Sequence, residues 1–189
     1  MTVPAENKFG TFWAIASHDA SADAKELMYS HGGEVWTKVP GPDTGADGLA
    51  EVAPGWHSVW VGTERGRVFR CQQPCTGDWV EETAFSASEN ARLLLKNIQQ
   101  EPSGGEVYGL VKGVEPLILS RDIDEAAKAK LDKLLSRKTA AENGWVASWD
   151  DEDAFGPSVQ DYSLDKQGIV ITDADSKIRR KSFREANGA

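Results

Sequence analysis

The chain contains few of the residues that most often build metal or redox sites. Its 189 residues include 2 Cys and 3 His. A structural zinc site needs four Cys or His ligands, usually supplied as close pairs, and His18, His31 and His57 are not spaced as such pairs. The sequence therefore predicts no bound metal, and we expect no other cofactor.

Long apolar runs and overall basic character are also missing. No segment approaches the roughly 20 apolar residues that cross a bilayer, so we expect no membrane insertion. The net charge of −9 opposes binding to the phosphates of nucleic acid. The short basic segment at 177–184 is more typical of a solvated strand or tail than of a binding patch. Nucleic acid is therefore not an expected partner.

The N-terminal sequence MTVPAENKFGTFWAIAS lacks the basic region and long apolar run of a signal peptide. This is compatible with a cytoplasmic protein and with a processed or assembly-bound one. The compartment stays open between these alternatives.

Sequence motifs of common enzyme classes are absent as well. The chain contains no GxSxG, HExxH or GxxxxGK[ST] pattern, which would indicate a hydrolase, a metalloprotease or a phosphate-binding loop. We therefore predict a protein that is not an enzyme.

A repeated pattern of short strands dominates the chain. Equivalent aromatic residues of four predicted inner strands recur about 47 residues apart, with a longer last step: Trp13, Trp60, Tyr108 and Tyr162. Short strands repeating at this period are typical of β-propeller blades. The sequence thus predicts a mainly β fold, a single propeller domain over 1–189. Its four units lie at about 10–41, 48–82, 94–149 and 157–185.

Two segments have helical rather than strand periodicity. Residues 87–100 follow a capping box, and Ala91, Leu95 and Ile98 share one helical face. Residues 121–142 show a stronger apolar stripe that includes Leu131 and Leu135. We interpret 121–142 as a helical insertion in the third unit. If both helices form and pack together, the alternative is an α+β C-terminal half.

The segment from Val35 to Trp79 resembles the tectonin repeat family. It contains VWTKVPG, then GLAEV, then SVWVGTERGRVFR followed by the next Trp strand. The resemblance implies a β-propeller related to lectins, with shallow ligand sites between blades. Tectonin-like propellers usually have five or six blades, whereas four units are found here, so a four-bladed ring, an open fragment and closure by a partner chain all stay open.

Candidate ligand contacts lie in loops rather than at the repeated strand positions. Trp13, Trp36, Trp60 and Trp79 recur at equivalent places and are predicted to be core. The predicted ligand-binding residues are Trp56, His57, Arg65, Trp145 and Trp149, because indoles stack on sugar rings and the polar neighbours can hydrogen-bond to them. Residues 150–153 are acidic but lack the spacing of a calcium loop, and we interpret them as solvated.

Cys71 and Cys75 lie in a predicted turn between two strands. They can form a local disulfide in an oxidising compartment and are free thiols otherwise.

Two functions from different classes follow. The first is a non-catalytic carbohydrate-binding module that contacts a glycan through inter-blade loops, as the tectonin resemblance implies. The alternative is a structural or adaptor subunit with a protein partner, active as an oligomer or within a larger assembly.

Overall fold

The computed structural model describes residues 5–6, 10–17, 25–82, 91–101, 106–116, 135–138, 146–147, 159–173 and 175–183. The chain divides into two compact units, Met1–Glu82 and Thr83–Ala189, here called unit 1 and unit 2. Within the described residues, no helix has the length and apolar character to cross a membrane.

Unit 1 contains two four-stranded antiparallel sheets, in each of which the strand order follows the chain. The first sheet is formed by β1 (Ala5–Glu6), β2 (Thr11–Ser17), β3 (Lys25–His31) and β4 (Thr37–Val39). The second sheet is formed by β5 (Leu49–Pro54), β6 (Ser58–Thr63), β7 (Val68–Gln72) and β8 (Trp79–Glu81).

Unit 2 contains two further antiparallel sheets. The third sheet is formed by β9 (Ala91–Gln100), β10 (Val107–Pro116), β11 (Leu135–Lys138) and β12 (Val146–Ala147). The fourth sheet has three strands, β13 (Val159–Leu164), β14 (Ile169–Asp173) and β15 (Ile178–Lys181). Small meanders of three or four strands are the build of propeller blades. The predicted mainly β fold with about four repeats is confirmed.

The unit 1 core is formed by apolar residues of both of its sheets. Trp13, Ile15 and Leu27 of the first sheet form one buried cluster with Leu49, Val59 and Val61 of the second. The repeated indoles differ in burial: Trp13 and Trp60 are buried as predicted, whereas Trp36 and Trp79 are half-buried. Trp36 precedes the short edge strand β4, where no further strand covers it in the described part of the chain.

The predicted helix at 87–100 is wrong where the structure describes it, because Ala91–Gln100 is strand β9. The misleading spacing has a structural cause. Where β9 pairs with β10, Lys96 and Gln99 lie opposite Leu110 and Tyr108, so β9 carries one residue more than its partner. Asn97 lies in this bulge with a φ of 54°. Extra residues of this kind shift the alternation of a strand.

Because of the bulge, Leu95 and Ile98 are both buried although they are three residues apart. That spacing in an ordinary strand would place them on opposite faces. Side-chain hydrogen bonds stabilise the bulge: Asn97 Nδ2 donates to Asp161 Oδ1 at 2.9 Å and to the Tyr162 carbonyl at 3.1 Å. Gln99 Nε2 donates to Asn97 Oδ1 at 2.8 Å. The sheets of unit 2 are thereby joined by polar as well as apolar contacts.

The predicted helical insertion at 121–142 is wrong at its described residues. Leu135–Lys138 is strand β11, which pairs with β10 and β12. Backbone pairing between two neighbours outweighs the weak helical preference of four residues. The rest of the insertion, at 121–134 and 139–142, lies outside the described residues. The α+β alternative has no support among the described residues of unit 2, which include no helix of that kind.

The β14–β15 turn is organised around the buried carboxylate of Asp173. Its Oδ1 atom accepts from the backbone N–H groups of Lys177 and Asp175 at 2.9 and 3.0 Å. Its Oδ2 atom accepts from Arg179 Nε at 3.1 Å. The Lys177 N–H contributes most to lowering the pKa of Asp173 below 3.8, with the Asp175 N–H and the Arg179 charge, against an opposing effect of desolvation.

Gly109→Ala tests the packing at the bulge. An added Cβ would lie 2.9 Å from Ile98 Cδ1 and 3.2 Å from Leu95 Cδ1. We expect a loss of about 1–3 kcal/mol in the free energy of unfolding by urea, because a closely packed core resists added volume. Gly113→Ala on the same strand is the control, since its Cβ would meet nothing within 4 Å. Equal stability of the two variants would contradict the packing described.

Asp173→Asn tests the charge in the β14–β15 turn. The pKa of Asp173 is lower in the folded state than in the unfolded state, so its ionisation stabilises the native state at pH values above the unfolded pKa. This stabilisation is lost as the pH falls through the folded pKa. We expect the variant to be less stable than the parent at pH 7. The difference should shrink as the pH falls below 3.8. Denaturant unfolding across pH measures it, and a difference independent of pH would rule out the charge effect.

Candidate functional site

An open groove in unit 1 is the candidate functional site. It has a volume of about 640 Å³ and is lined by the start of β3, the end of β4, most of the loop at 40–48, Leu49 and Glu64. We call it the unit 1 groove. The loop joins the last strand of the first sheet to the first strand of the second.

The groove combines an apolar floor with a charged rim. Leu27, Val39 and Leu49 are buried beneath it. Two ion pairs stand at the rim, one between Lys25 and Glu64 and the other between Lys38 and Glu26. None of the described residues in this lining is aromatic. These residues therefore offer charges of both signs rather than a stacking platform for a sugar ring.

The groove loop has an internal structure that its sequence explains. The segment PGPDTGADG combines Pro, Gly and Asp, which favour turns for different steric and hydrogen-bonding reasons. Gly45 has a φ of 62°, and its N–H donates to Asp43 Oδ1 at 3.1 Å. The Asp47 N–H donates to the Thr44 carbonyl at 3.2 Å. The loop is thus held in one conformation by local bonds.

The second sheet fixes the same loop from outside. Trp79 Nε1 donates to the Pro40 carbonyl at 2.7 Å. Arg67 Nη1 donates to the Thr44 carbonyl at 3.3 Å, and the Glu64 N–H donates to the Gly48 carbonyl at 2.9 Å. The shape of the groove therefore depends on the second sheet as well as on the loop itself.

Asp47 is the most unusual residue of the groove because its carboxylate is buried with one oxygen unsatisfied. The residue is 5% exposed, and Oδ1 accepts from the Arg65 N–H at 3.1 Å. Oδ2 is buried without a hydrogen-bond partner among the described residues. A buried polar atom without a partner costs about 1–3 kcal/mol, so a donor supplied by a ligand would recover that cost.

The structure separates the predicted ligand-binding residues. Half-buried Trp56 and exposed His57 lie in the turn between β5 and β6. Exposed Arg65 follows the opposite end of β6, beside Glu64 of the groove. The six-residue strand between them spans roughly 20 Å. Trp56 and Arg65 therefore cannot contact one small ligand together. Trp145 and Trp149 lie outside the described residues.

A disulfide joins Cys71 of β7 to Cys75 in the turn between β7 and β8. Cys71 is buried, and Cys75 packs half-buried against the unit 1 core. Neither residue lines the groove, so the disulfide belongs to the scaffold around Trp79. Within the described ranges, no three His, Cys, Asp or Glu side chains are placed to share a metal ion.

Sequence reasoning missed the groove residues Lys25, Glu26, Lys38, Asp47 and Glu64. The Gly, Pro and Asp content of 40–48 was a signal of a structured loop. Nothing in the sequence marked Asp47 as buried, because Asp is usually exposed in such loops. The buried carboxylate accepts a hydrogen bond from the Arg65 N–H, which is 18 residues away in sequence and is brought close by strand pairing.

The chain matches no protein-family model and no curated protein sequence. Similar solved structures include YCF48 bound to D1 peptide, with a TM-score of 0.48, 12% identity, and coverage of 95% of this chain and 51% of that one. YCF48 from Cyanidioschyzon merolae has a TM-score of 0.48 and 9% identity, over 95% and 57% of the two chains. HIRA(644-1017) has a TM-score of 0.45 and 12% identity, over 97% and 53%.

The chain therefore spans about half the length of these three solved structures. At TM-scores below 0.5, these similarities do not extend to the function of this chain. Its candidate site is defined by its own geometry.

Trp79→Phe tests the attachment of the groove loop. The substitution keeps an aromatic ring but removes the donor to the Pro40 carbonyl. We expect a loss of about 1 kcal/mol in the free energy of unfolding, with faster amide hydrogen exchange at 44–48. Arg65→Ala is the control, because the backbone N–H that binds Asp47 remains. Unchanged exchange in the Phe variant would contradict an attachment through the indole.

Proposed function

We propose that the chain is a non-catalytic protein-binding module. Its unit 1 groove binds an extended polar segment that carries a Lys or Arg side chain. Asp47 supports this proposal most directly, because it lines the groove and its Oδ2 has no hydrogen-bond partner among the described residues. The proposal requires a rotation of this carboxylate that turns Oδ2 toward a cationic donor, and the terminal torsion of an Asp side chain is broad and soft.

The rim supports a polypeptide ligand of mixed charge. The side chains of Lys38 and Glu64 are 62% and 57% exposed, and exposed ion pairs contribute only about 0–1 kcal/mol. Charged groups of a partner can therefore replace one member of these ion pairs at a small cost in free energy. The apolar floor beneath would then bury the stem of a long cationic side chain, as Lys and Arg stems commonly pack on apolar surface.

A second candidate function is glycan binding, which the tectonin resemblance implies. The loop with half-buried Trp56 and exposed His57 is the surface that favours it, since an accessible indole can stack on a sugar ring. Membership of the tectonin family is likewise a proposal, supported by the repeated Trp strands and the VPG turn. The two candidate functions use different ends of the second sheet, so separate variants distinguish them.

Asp47→Asn and Trp56→Ala, tested on a peptide array and a glycan array, decide between these functions. The peptide array pairs peptides that contain Lys or Arg with versions in which Gln replaces the cation. We expect binding that requires the cation and falls about tenfold or more in Asp47→Asn, since a charge-assisted hydrogen bond contributes about 1.5–3 kcal/mol. Trp56→Ala should retain peptide binding.

Asp43→Asn is the matched control, because Asp43 is an exposed carboxylate of the same loop. It changes the net charge equally and should leave peptide binding unchanged. Glycan binding that is lost in Trp56→Ala and kept in Asp47→Asn would support the second function instead. If both Asp variants weaken peptide binding equally, the binding depends on the negative charge of the loop and not on Asp47 in particular. That outcome would contradict the proposal.

A further inference from the structure

We infer that the outer edge of β15 binds an extended acidic segment of another protein, which adds to the fourth sheet as a further strand. This site lies in unit 2 and does not depend on the proposed function of the unit 1 groove. Among the described residues, the fourth sheet has three strands, whereas each of the other three sheets has four. Within the described residues, β15 pairs with β14 and with no other strand.

The backbone directions at this edge follow from the register of β14 and β15. The Asp173 N–H donates to the Lys177 carbonyl at 3.0 Å, and Ile171 lies opposite Arg179. Hydrogen-bonded and non-hydrogen-bonded pairs alternate in an antiparallel ladder. Ile178 and Arg180 therefore direct their N–H and C=O groups away from β14. These groups are spaced as an added strand requires.

The side chains of β15 define the chemistry of the partner. Ile178 is 76% exposed, which is high for a large apolar side chain. Basic residues surround it, with Lys177 before it and Arg179, Arg180 and Lys181 after it. Cross-strand pairs of opposite charge or of two apolar residues stabilise a sheet. A strand that carries acidic residues and at least one apolar residue fits this edge.

Charge also disfavours a second copy of β15 as the occupant, because like charges directly opposite each other destabilise strand pairing. Lys177 pairs with Asp175 at 3.9 Å, and Arg180 contacts Asp165. The side chains of Lys177 and Arg180 are 67% and 49% exposed, so a partner carboxylate can join these contacts at little cost. Nucleic acid would use the cations alone, with no role for Ile178 or for the backbone edge.

In the experiment, the full chain is mixed with a free synthetic peptide of eight residues in which Val and Glu alternate. Amide hydrogen exchange of the chain is the readout. We expect the Ile178 and Arg180 amides to exchange rapidly in the free chain. In the complex, their exchange rate should fall by about tenfold or more. The peptide with Lys in place of Glu should give no protection. A peptide N-methylated on its alternate, strand-facing amides should also fail, which tests strand addition with the chain unaltered.

Ile178→Pro and Ile178→Thr form the matched pair of chain variants. Proline at an edge position removes an outward N–H without breaking the inner ladder, so the Pro variant should lose peptide binding by about tenfold or more. The Thr variant keeps the N–H and should bind within a few-fold of the parent.

Three results would overturn the inference. Ile178 and Arg180 amides that are already protected in the free chain would show that this chain covers its own edge. Equal binding of the N-methylated peptide would show that the backbone is not used. Equal binding of a ten-nucleotide oligothymidylate at the same residues would show a general site for anions.

Discussion

The contact between the two sheets of each unit is the constraint on which the rest of the structure depends. Short strands bury too little surface to be stable alone. In unit 1, Ile15 and Leu27 of the first sheet pack with Val59 and Val61 of the second. In unit 2, Tyr108 and Leu110 pack with Tyr162 and Ile171. Each sheet therefore holds its register because its apolar face has a partner sheet.

Polar groups at the contact between the sheets of unit 2 also find their hydrogen-bond partners in the neighbouring sheet. The bulge at Asn97 would leave backbone groups unsatisfied if it stood alone. The Tyr162 hydroxyl donates to the Asn97 carbonyl, and Gln99 Oε1 accepts from the Leu164 N–H at 3.1 Å. The irregularity in one strand is thus completed by hydrogen bonds from the neighbouring sheet, as buried backbone groups require.

The repeat was predictable from sequence because strand pattern and turn chemistry are local. Trp13 and Trp60 recur with their strands, and Gly66 allows the tight β6–β7 turn with a φ of 98°. The strand at 91–100 was not predictable, since a bulge gives Leu95 and Ile98 the spacing of a helix. The burial of Asp47 was equally hidden, because the N–H it accepts from belongs to another segment of the chain. Local patterns identify elements, whereas pairing between distant segments defines the site.

The loop at 40–48 is also the connection between the two sheets of unit 1, and this gives it a second property. It is anchored to the second sheet by Trp79 and Arg67. Any ligand held by this loop binds the folded unit and not the unfolded chain. Occupancy and folding are then thermodynamically linked, and a ligand at about 100 times its Kd would add about 2.7 kcal/mol to the stability of unit 1. The stability of the connection between the two sheets would then increase with the concentration of the partner.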